Sequence, residues 1–520
     1  MKIKLLSFII ALLQLSTYAQ TPAIEWKKCF GGTDSDSFSN IKQTSDGGYI
    51  VVGASRSNNG DLILNKGNND VWILKLNFNF VTEWSKSYGG TKEDYADCVQ
   101  QTTDGGYIIT GYSESNDGDA TSNHGSYHNG DFWTIKTNAK GVIEWQKSLG
   151  GSQAERSYSI IQTNDGYVVT GTSSSNDGDV SGLHGYGTTN ADDASIIKLD
   201  VLGNVIWQKL LGGTESENSS SVKQTTDGGI ILCGRSRSND GDVSINKGSS
   251  DAWIVKLNGL GIIEWEKTFG GSNTDSAKSI SQTSDGGFIV IGSSSSTDGD
   301  VIGNYSNERD NVWVLKLNIN GDIQWQKIFS GSETDEGTDI QQTSDGGYIL
   351  TAQTYSSDKD LTENKGYSDA WIVKLNQKGE LQWQKSIGGN SYDRIESIQQ
   401  TVDGSYIMAG YTFSTDGDII NNNGNGDGWI VKLVSSNLSL NNFESNKLII
   451  YPNPVTSILN FQIPNKDIID KIIITDINGK KILEQNKNTT QIDTQELNSG
   501  TYFITVFSSD KKYTQKILRR

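Results

Sequence analysis

The sequence QTSDGGYI occupies residues 43–50, and close versions of it return four more times along the chain. They read QTTDGGYI from residue 101, QTTDGGII from 224, QTSDGGFI from 282 and QTSDGGYI from 342. In each version Asp can cap a tight turn, and Gly supplies the positive φ that such a turn needs. The motif therefore predicts a hairpin between two strands, here called A and B, and its recurrence predicts a repeat protein.

Two tryptophan motifs recur with the same period and define seven copies of one unit. They account for all 13 tryptophans of the chain. Trp-x-Lys gives Trp26, Trp84, Trp145, Trp207, Trp265, Trp325 and Trp383, and Asp-x-Trp-Ile-x-Lys-Leu gives Trp72, Trp133, Trp253, Trp313, Trp371 and Trp429, with Ser195 in the third copy. The second motif always precedes the next Trp of the first by 12 residues, which predicts a rigid hairpin between strands C and D.

Seven units of four short strands predict an all-β fold, a seven-bladed β-propeller with four-stranded blades. The chain opens with a lone D strand, IEWKKCF at 24–30, and the seventh copy ends on a C strand, GWIVKLV at 428–434. Pairing these two strands would complete the seventh blade and remove the open edges of a linear array. The alternative is an open β-solenoid, which would not need these complementary ends. Large aromatic side chains at fixed positions predict packing between blades.

Three columns of acidic residues fall in the loops after strands B and D, which emerge on one face of a meander. The first column is the second Asp of the NDGD motif: Asp61, Asp119, Asp179, Asp242, Asp300, Asp360 and Asp418. The second column lies two residues before the strand C Trp: Asp70, Asp131, Asp193, Asp251, Asn311, Asp369 and Asp427. The third column follows the glycines that end strand D: Asp36, Asp94, Glu155, Glu217, Asp275, Asp335 and Asp393.

Clustered carboxylates on Gly-rich loops are typical of calcium sites, because Ca²⁺ accepts six to eight oxygen ligands with flexible geometry. The 20 carboxylates of the columns therefore predict Ca²⁺ as the one cofactor of the chain. The alternative is that they cap backbone N–H groups of their own loops, since Asp-Gly and Asn-Asp are ordinary turn residues. A second metal pattern, His124 and His128 at i and i+4, lies in a loop that does not enforce that spacing.

The two ends of the chain and its charge indicate where the protein works. Residues 1–19 have two lysines, a short apolar run and a small residue at the end, which predicts a secretory signal peptide rather than a membrane span. The whole chain has a net charge of −18, which disfavours nucleic acid and anionic lipid as partners. We expect no integral membrane segment in the mature chain. Cys29, Cys98 and Cys233 sit at unrelated repeat positions and do not predict a disulfide framework.

These features divide the chain into a signal peptide (1–19), a propeller of ~60-residue repeats (20–434), a polar linker (435–447) and a small β-sandwich (448–520). The last part carries Tyr-Pro-Asn-Pro, then Asp with Asn-Gly-Lys, then Ser-Gly-Thr-Tyr, and a basic end. Its key residues are Tyr451, Pro452, Asn453, Pro454, Asp476, Gly479, Lys480, Gly500, Tyr502, Lys516, Arg519 and Arg520.

This tail resembles the C-terminal sorting domain of the type IX secretion system of Bacteroidetes. The resemblance implies export through the periplasm, recognition by the outer-membrane secretion machinery, and secretion or attachment at the outer-membrane surface. The T-x-D-G-G turn also resembles the Asp-box of sialidase-type propellers, which implies a structural turn.

Two functions of different classes fit these observations. The first is a secreted or cell-surface binding or adhesion module for glycan or protein. The second is an extracellular glycan-active enzyme built on the propeller. The chain has no GxSxG, HExxH, CxxC or P-loop motif, so no catalytic residue is predicted. A unique site should break the repeat, and the sequence directs that search to the second and third copies, with His124, His128 and the insertion before Asp193.

Overall fold

The computed structural model describes residues 21–434 except 63–64, 127–128, 186–191, 305–308 and 362, together with most of 449–519. The chain divides into two compact units, residues 1–436 and 437–520, which are considered separately. The predicted signal peptide (1–19) and the whole of the predicted linker (435–447) lie outside the described residues, and the predicted boundaries stay predictions. Every regular element of the described residues is a β-strand.

The first unit consists of seven four-stranded antiparallel sheets, which confirms the predicted seven-bladed propeller. Blades one to three contain β2 (Asp36–Gln43), β3 (Tyr49–Ser55), β4 (Asp70–Leu76), β5 (Thr82–Tyr88); β6 (Asp94–Gln101), β7 (Tyr107–Ser113), β8 (Asp131–Thr137), β9 (Ile143–Leu149); and β10 (Glu155–Thr163), β11 (Gly166–Ser173), β12 (Asp193–Leu199), β13 (Val205–Leu211). Blades four to six contain β14 (Glu217–Gln224), β15 (Ile230–Ser236), β16 (Asp251–Leu257), β17 (Ile263–Phe269); β18 (Asp275–Gln282), β19 (Phe288–Ser294), β20 (Asn311–Leu317), β21 (Ile323–Phe329); and β22 (Asp335–Gln342), β23 (Tyr348–Thr354), β24 (Asp369–Leu375), β25 (Leu381–Ile387).

The seventh blade joins the two ends of the repeat region. It contains β26 (Asp393–Gln400), β27 (Tyr406–Thr412), β28 (Asp427–Leu433) and, as its outer strand, β1 (Ile24–Phe30). In the antiparallel pairing of β1 with β28, Cys29 lies opposite Trp429 and Ile24 opposite Leu433. The ring is therefore closed by the strand that the sequence predicted, and the open solenoid is wrong.

The hydrophobic core of the propeller lies between blades. Each of its seven buried clusters draws residues from two neighbouring sheets; one of them joins Ile407 and Ile430 of blade seven to Val51 and Trp72 of blade one. The six tryptophans of the second motif are at most 2% exposed, so they form the predicted packing between blades. Cys29 and Cys233 are buried, Cys98 is half-buried, and all three are free thiols.

One turn at the ring closure carries an aromatic residue where other blades have glycine. Phe80 has a φ of 62°, the left-handed conformation that Gly141 adopts at the matching position of blade two. Its ring stacks on Trp26 of β1 at 4.2 Å and on Tyr49 at 5.0 Å between ring centroids. Stacking on the closing strand therefore compensates the backbone cost of a side chain at this φ.

The Asp of each A–B hairpin is a counter-ion as well as a turn residue. Asp46 accepts hydrogen bonds from Thr44 Oγ1 (2.5 Å) and from the backbone N–H of Gly48 (2.9 Å). Its other oxygen lies 3.0 Å from Nζ of the buried Lys75 on strand C. The same ion pair recurs in every blade: Lys136–Asp104, Lys198–Asp165, Lys256–Asp227, Lys316–Asp285, Lys374–Asp345 and Lys432–Asp403.

The Gln that opens the quoted motif links each hairpin to the next blade, a role that we did not predict. Gln101 of blade two accepts a hydrogen bond from the backbone N–H of Ser45 in the turn of blade one at 2.8 Å. Equivalent bonds join Gln162 to Thr103, Gln282 to Thr226, Gln342 to Ser284, Gln400 to Ser344 and Gln43 to Val402. The third blade, with the shorter turn TNDGY, is the one whose turn shows no such bond among the described residues.

The second unit is a small β-sandwich, as predicted. One sheet has the order β29 (Ile449–Tyr451), β30 (Ile458–Gln462) and β33 (Gln491–Asp493). The other has the order β32 (Lys481–Asn486), β31 (Lys471–Asp476), β34 (Gly500–Ser508) and β35 (Lys511–Arg519). Both sheets contribute to one core, which includes Leu459, Ile474, Ile504 and Ile517.

The hairpin ion pairs predict a difference between two matched variants. Lys256 contacts Glu264 (2.7 Å) as well as Asp227, whereas blade three has Ile206 at the matching position and Lys198 pairs with Asp165 alone. Asp165→Asn should therefore lower the free energy of unfolding by about 2 kcal/mol, because it leaves the buried ammonium of Lys198 without a carboxylate, while the exposure of Asp165 limits the loss. Asp227→Asn should cost about 1 kcal/mol.

Urea unfolding of the two variants beside the unchanged protein measures this difference. Equal losses in both variants would show that the second carboxylate contributes nothing.

Candidate functional site

The loops after strands B and D form one face of the propeller, the loop face, and all three acidic columns lie there. In blade two the NDGD loop folds onto the loop that follows strand D of blade one. The backbone N–H of Asp119 donates to the carbonyl of Gly89 at 3.0 Å, and Gly89 N–H donates to Asp119 Oδ2 at 3.3 Å. Asp117 accepts the N–H of Thr91 at 2.8 Å. The first column thus holds two loops together through backbone bonds.

The third column is buried at the start of strand A and is hydrogen-bonded by its own loops, with Asp275 Oδ1 as the one oxygen of the column that lacks a partner among the described residues. Asp94 Oδ2 accepts the backbone N–H of Gly90 and the hydroxyl of Ser115, both at 2.8 Å, and Oδ1 accepts the hydroxyl of Ser113. The same pattern of glycine and serine donors surrounds Asp36 in blade one. Each of these carboxylates therefore replaces the backbone partners that the end of strand D and the start of strand A lack.

The second column is buried, and one oxygen of each side chain has no hydrogen-bond partner. Asp70 Oδ2 accepts the backbone N–H of Lys66 at 2.9 Å and the hydroxyl of Ser87 at 2.7 Å. Its Oδ1 faces Gly89, where a Cβ would lie 2.6 Å from that oxygen and 2.7 Å from Asp94 Oδ2. The unpartnered oxygens are Oδ1 of Asp70, Asp131, Asp193, Asp251, Asn311, Asp369 and Asp427.

The structure regroups the columns into one acidic triad at each blade interface. Asp70 of blade one lies near Asp94 and Asp119 of blade two. Burial raises the pKa of Asp70, and the charge of Asp119 adds to this rise. Burial likewise raises the pKa of Asp94, and the charge of Asp70 adds to it. The other triads are Asp131–Glu155–Asp179, Asp193–Glu217–Asp242, Asp251–Asp275–Asp300, Asn311–Asp335–Asp360, Asp369–Asp393–Asp418 and Asp427–Asp36–Asp61. Where Asn311 replaces Asp, Ser330 replaces the neighbouring glycine.

A cationic side chain from the preceding blade reaches the first-column Asp of several triads. Lys66 Nζ contacts Asp119, and Lys247 and Lys365 make the same contact with the next blade. His124 and His184 take this position in the second and third copies. Each ring donates or accepts through Nδ1 with its own second-column Asp at 2.7 Å, and its Nε2 lies 4.0 Å from the next Asp.

His124 and His184 thus occupy a position of the repeat that lysine holds in other blades. Burial lowers the pKa of His124, but its hydrogen bond to Asp131 together with the charges of Asp131, Asp179 and Glu155 outweighs that and raises the pKa overall. His128 lies outside the described residues. Among the described residues no group of three or more His, Cys, Asp or Glu side chains could hold a metal ion, and the predicted calcium stays a prediction.

The two sets of aspartates respond to their surroundings in opposite directions. Burial, with added repulsion from Asp275, raises the pKa of Asp251 to about 6, and burial likewise raises that of Asp193, Asp369 and Asp427 to about 6. By contrast, the hydrogen bond from Thr225, with further donors, holds the pKa of the hairpin residue Asp227 at about 2.

The inner A strands line a central channel with a cavity of about 860 Å³. Its wall carries charges of both signs, among them Lys42, Asp97, Arg156 and Glu396. Burial raises the pKa of Asp97 to about 6, and Arg156 lies 3.8 Å from its carboxylate. Burial also acts to raise the pKa of Glu396, but Arg394, at 2.6 Å, lowers it overall.

The sorting motif of the second unit is structural where the structure describes it. Asn453 Oδ1 accepts the backbone N–H of Leu518, Asp476 Oδ1 accepts that of Lys480, and the Tyr502 hydroxyl donates to Asn498 O. Tyr451 is partly exposed, Gly500 pairs with Arg519 across β34 and β35, and Arg519 Nε donates to Thr494 O. Pro452, Pro454, Gly479, Arg520 and the side chain of Lys516 lie outside the described residues.

Comparison with protein families identifies this second unit. Residues 449–520 match the family model described as the secretion system C-terminal sorting domain. Over 226 residues the chain is 25% identical to the regulatory protein FlaEY of Caulobacter vibrioides, a match that covers 40% of this chain and 23% of that protein. The chain therefore spans about a quarter of the length of this relative.

Solved structures of similar fold include two propellers. The WD40 domain of Pan2 from Neurospora crassa is 11% identical, with a TM-score of 0.40 over 76% of this chain and 88% of that one. PorZ, a surface component of the type IX secretion system of Porphyromonas gingivalis, is 11% identical, with a TM-score of 0.39 over 94% of this chain and 60% of that one. No function is transferred from either. Within the described residues no helix is long and apolar enough to cross a membrane.

The raised pKa values predict how stability changes with pH. A folded-state pKa of about 6 against an ordinary value of 3.8 means that Asp251 favours folding below pH 4 and loses that contribution as pH rises through about 6. Asp251→Asn, which copies the natural Asn311, should therefore raise the thermal unfolding midpoint at pH 7.5 and leave it unchanged at pH 4. The hairpin aspartates do not interfere, because their contribution is lost only as pH falls toward about 2.

The same melts, repeated after metal stripping and with millimolar CaCl₂, test the predicted calcium. A bound cation would neutralise the triads, so calcium should raise the midpoint of the unchanged protein at pH 7.5 and raise that of Asp251→Asn less. No calcium shift together with the predicted pH effect would leave the triads as buried, hydrogen-bonded carboxylates.

Proposed function

We propose that the propeller of this protein is a binding or adhesion module for an extracellular glycan or protein. The protein is exported to the cell surface or secreted, because its C-terminal unit is a sorting domain of the type IX secretion system. The observation that carries this proposal is the construction of the loop face. Each B–C loop is fastened to the preceding D–A loop by backbone and side-chain hydrogen bonds, as Asp117 and Asp119 illustrate.

A face held in this way suits recognition. Loops that are already ordered lose little conformational entropy when a ligand binds. The exposed NDGD tips and the buried carboxylates beneath them are nearly constant, whereas the stretch of each B–C loop between the tip and the second column varies in sequence and length. The frame is thus conserved within the chain and the surface is free to vary, which is the usual division between scaffold and binding residues. The predicted signal peptide at 1–19 supplies the first step of the export route.

The test compares steric blocks on opposite faces. The first variant is Thr297→Cys, and Thr297 lies at an exposed loop tip. The second is Val402→Cys, and Val402 lies in a turn of the opposite face and is 96% exposed. Each variant is coupled to a polyethylene glycol maleimide of about 5 kDa, which is far larger than a loop tip. The conjugates are then applied to arrays of immobilised polysaccharides and extracellular matrix proteins. We expect loss of binding for the Thr297 conjugate and retention for the Val402 conjugate.

Binding that is lost only for the Val402 conjugate would move the binding surface to the hairpin face. Absence of any ligand on either array for the uncoupled protein would count against the binding module itself.

The channel supports a second candidate, an extracellular glycan-active enzyme. The specific observation is that Asp97 and Glu396 line one cavity with pKa values displaced in opposite directions, as expected for a general acid and its partner carboxylate. If this activity exists, release of reducing sugar from polysaccharides should fall by about 100-fold or more in Asp97→Asn, and the Glu83→Gln variant outside the channel should retain it.

A further inference from the structure

An aromatic pair breaks the repeat at the interface of blades six and seven. The rings of Tyr367 and Tyr392 stack with centroids 5.2 Å apart and planes 9° apart. They are 66% and 43% exposed, so the pair stands in solvent on the loop face. Tyr355 meets Tyr392 edge-on at 6.5 Å, and Phe413, also 43% exposed, follows in the next loop. Exposed stacked rings are not needed for the fold, because the core lies below them.

The pair has no counterpart elsewhere in the ring. Tyr367 lies two residues before the second acidic column, and Tyr392 lies one residue before the third. At the other described interfaces these two positions hold Asn68 with Glu93, Asn129 with Ala154, Ser249 with Thr274, Arg309 with Thr334, and Asn425 with Ser35. A repeat-breaking feature is what a unique site requires, and it occurs far from the copies in which the sequence suggested one.

The backbone beneath the pair is fixed by several hydrogen bonds. Tyr367 N–H donates to the carbonyl of Ser391 at 3.1 Å, and Phe413 N–H donates to the carbonyl of Tyr392 at 2.9 Å. Ser368 and Tyr392 also form a parallel β-bridge. The buried Asp393 anchors the same loop through Gly389 N–H. The two rings are therefore presented by a rigid frame, and little entropy is lost when a ligand covers them.

A polar network begins at Ser368, the residue that follows Tyr367. Gln353 donates to the hydroxyl of Ser368 at 2.8 Å and accepts from Arg394. Arg394 also holds Glu336 at 3.1 Å and Glu396 at 2.6 Å. The Glu336 side chain is 40% exposed, so its free carboxylate surface can accept hydrogen bonds from outside. The site thus combines a flat apolar surface with fixed hydrogen-bonding groups at its edge.

We propose that Tyr367 and Tyr392 form a glycan-binding site, in which the apolar face of one pyranose ring stacks on the exposed face of Tyr367 and its hydroxyl groups bond to the polar network that includes Glu336. This proposal rests on the proposed binding function and gives it a place and a ligand class. The ligand is a neutral glycan, because the acidic loop face of a chain with net charge −18 repels sulfated or uronic polymers.

The size of the patch favours a sugar over a protein partner. A stable protein interface buries about 800 Å² on each side, with an apolar centre. Here the exposed apolar surface consists of the stacked pair Tyr367 and Tyr392 and of Phe413, surrounded by polar and charged loops. Rings of this kind, with an apolar body and a polar tip, suit a ligand that itself has an apolar face and a hydroxylated edge.

The experiment uses the full chain with the double substitution Y367A/Y392A. The matched control is Phe78→Ala, which removes a 48% exposed aromatic ring from the opposite face. Binding to mannan, β-glucan, chitin and cellulose is measured beside heparin and the matrix proteins, and thermal melts check that all variants are folded. We expect at least one neutral polysaccharide to bind the unchanged protein, with affinity at least about 10-fold weaker in the double variant and unaltered in Phe78→Ala.

A second readout keeps the proposal falsifiable if the variant loses stability. Nitration of tyrosines in the unchanged protein, mapped by mass spectrometry, should be suppressed at Tyr367 and Tyr392 by the bound polysaccharide and not at Tyr451. Neutral glycan binding that survives the double substitution would overturn this site and leave the binding module standing. Binding of matrix protein or heparin alone would overturn the glycan, and failure of every probe would overturn both proposals.

Discussion

No blade of this propeller has a hydrophobic core of its own. Each buried cluster is shared by two neighbouring sheets, so a blade is stable only while both neighbours are in place, and the constraint is satisfied everywhere only when the ring is closed. The pairing of β1 with β28 meets that condition. The polar contacts follow the same logic: the glutamine bonds, the acidic triads and the lysine contacts to the next blade all cross interfaces. Stability is therefore a property of neighbouring pairs rather than of blades.

Periodicity made much of this architecture predictable. The tryptophan motifs gave the number of blades, and the complementary ends gave the closure, because both depend on spacing along one chain. Contacts between copies were harder to foresee. Asp70, Asp94 and Asp119 lie in three columns that the sequence presents as separate, and only the curvature of the ring brings them together. Likewise the motif QTSDGG alone does not indicate that its Gln accepts a hydrogen bond from the turn of the preceding blade.

The remaining differences come from positions where one copy departs from the others. His124 looked like an exception in sequence, yet its imidazole and that of His184 stand where other blades have lysine. Phe80 adopts a backbone conformation usual for glycine because Trp26 and Tyr49 lie on either side of its ring. Tyr367 and Tyr392 are ordinary residues in ordinary loops until the ring places them together. The structural role of such a residue depends on neighbours that are distant in sequence.

The ring closure also sets an order of events. Ile24 lies opposite Leu433, so the first strand of the propeller finds its partner only after the whole repeat region has been synthesised, because synthesis begins at the N-terminus. Until then β1 has no partner strand, and the array formed by blades one to six has an uncovered blade surface at each end. A chain of this design completes its folding only when its C-terminal address has almost arrived, which links the completion of the cargo in time to the availability of the signal that directs it.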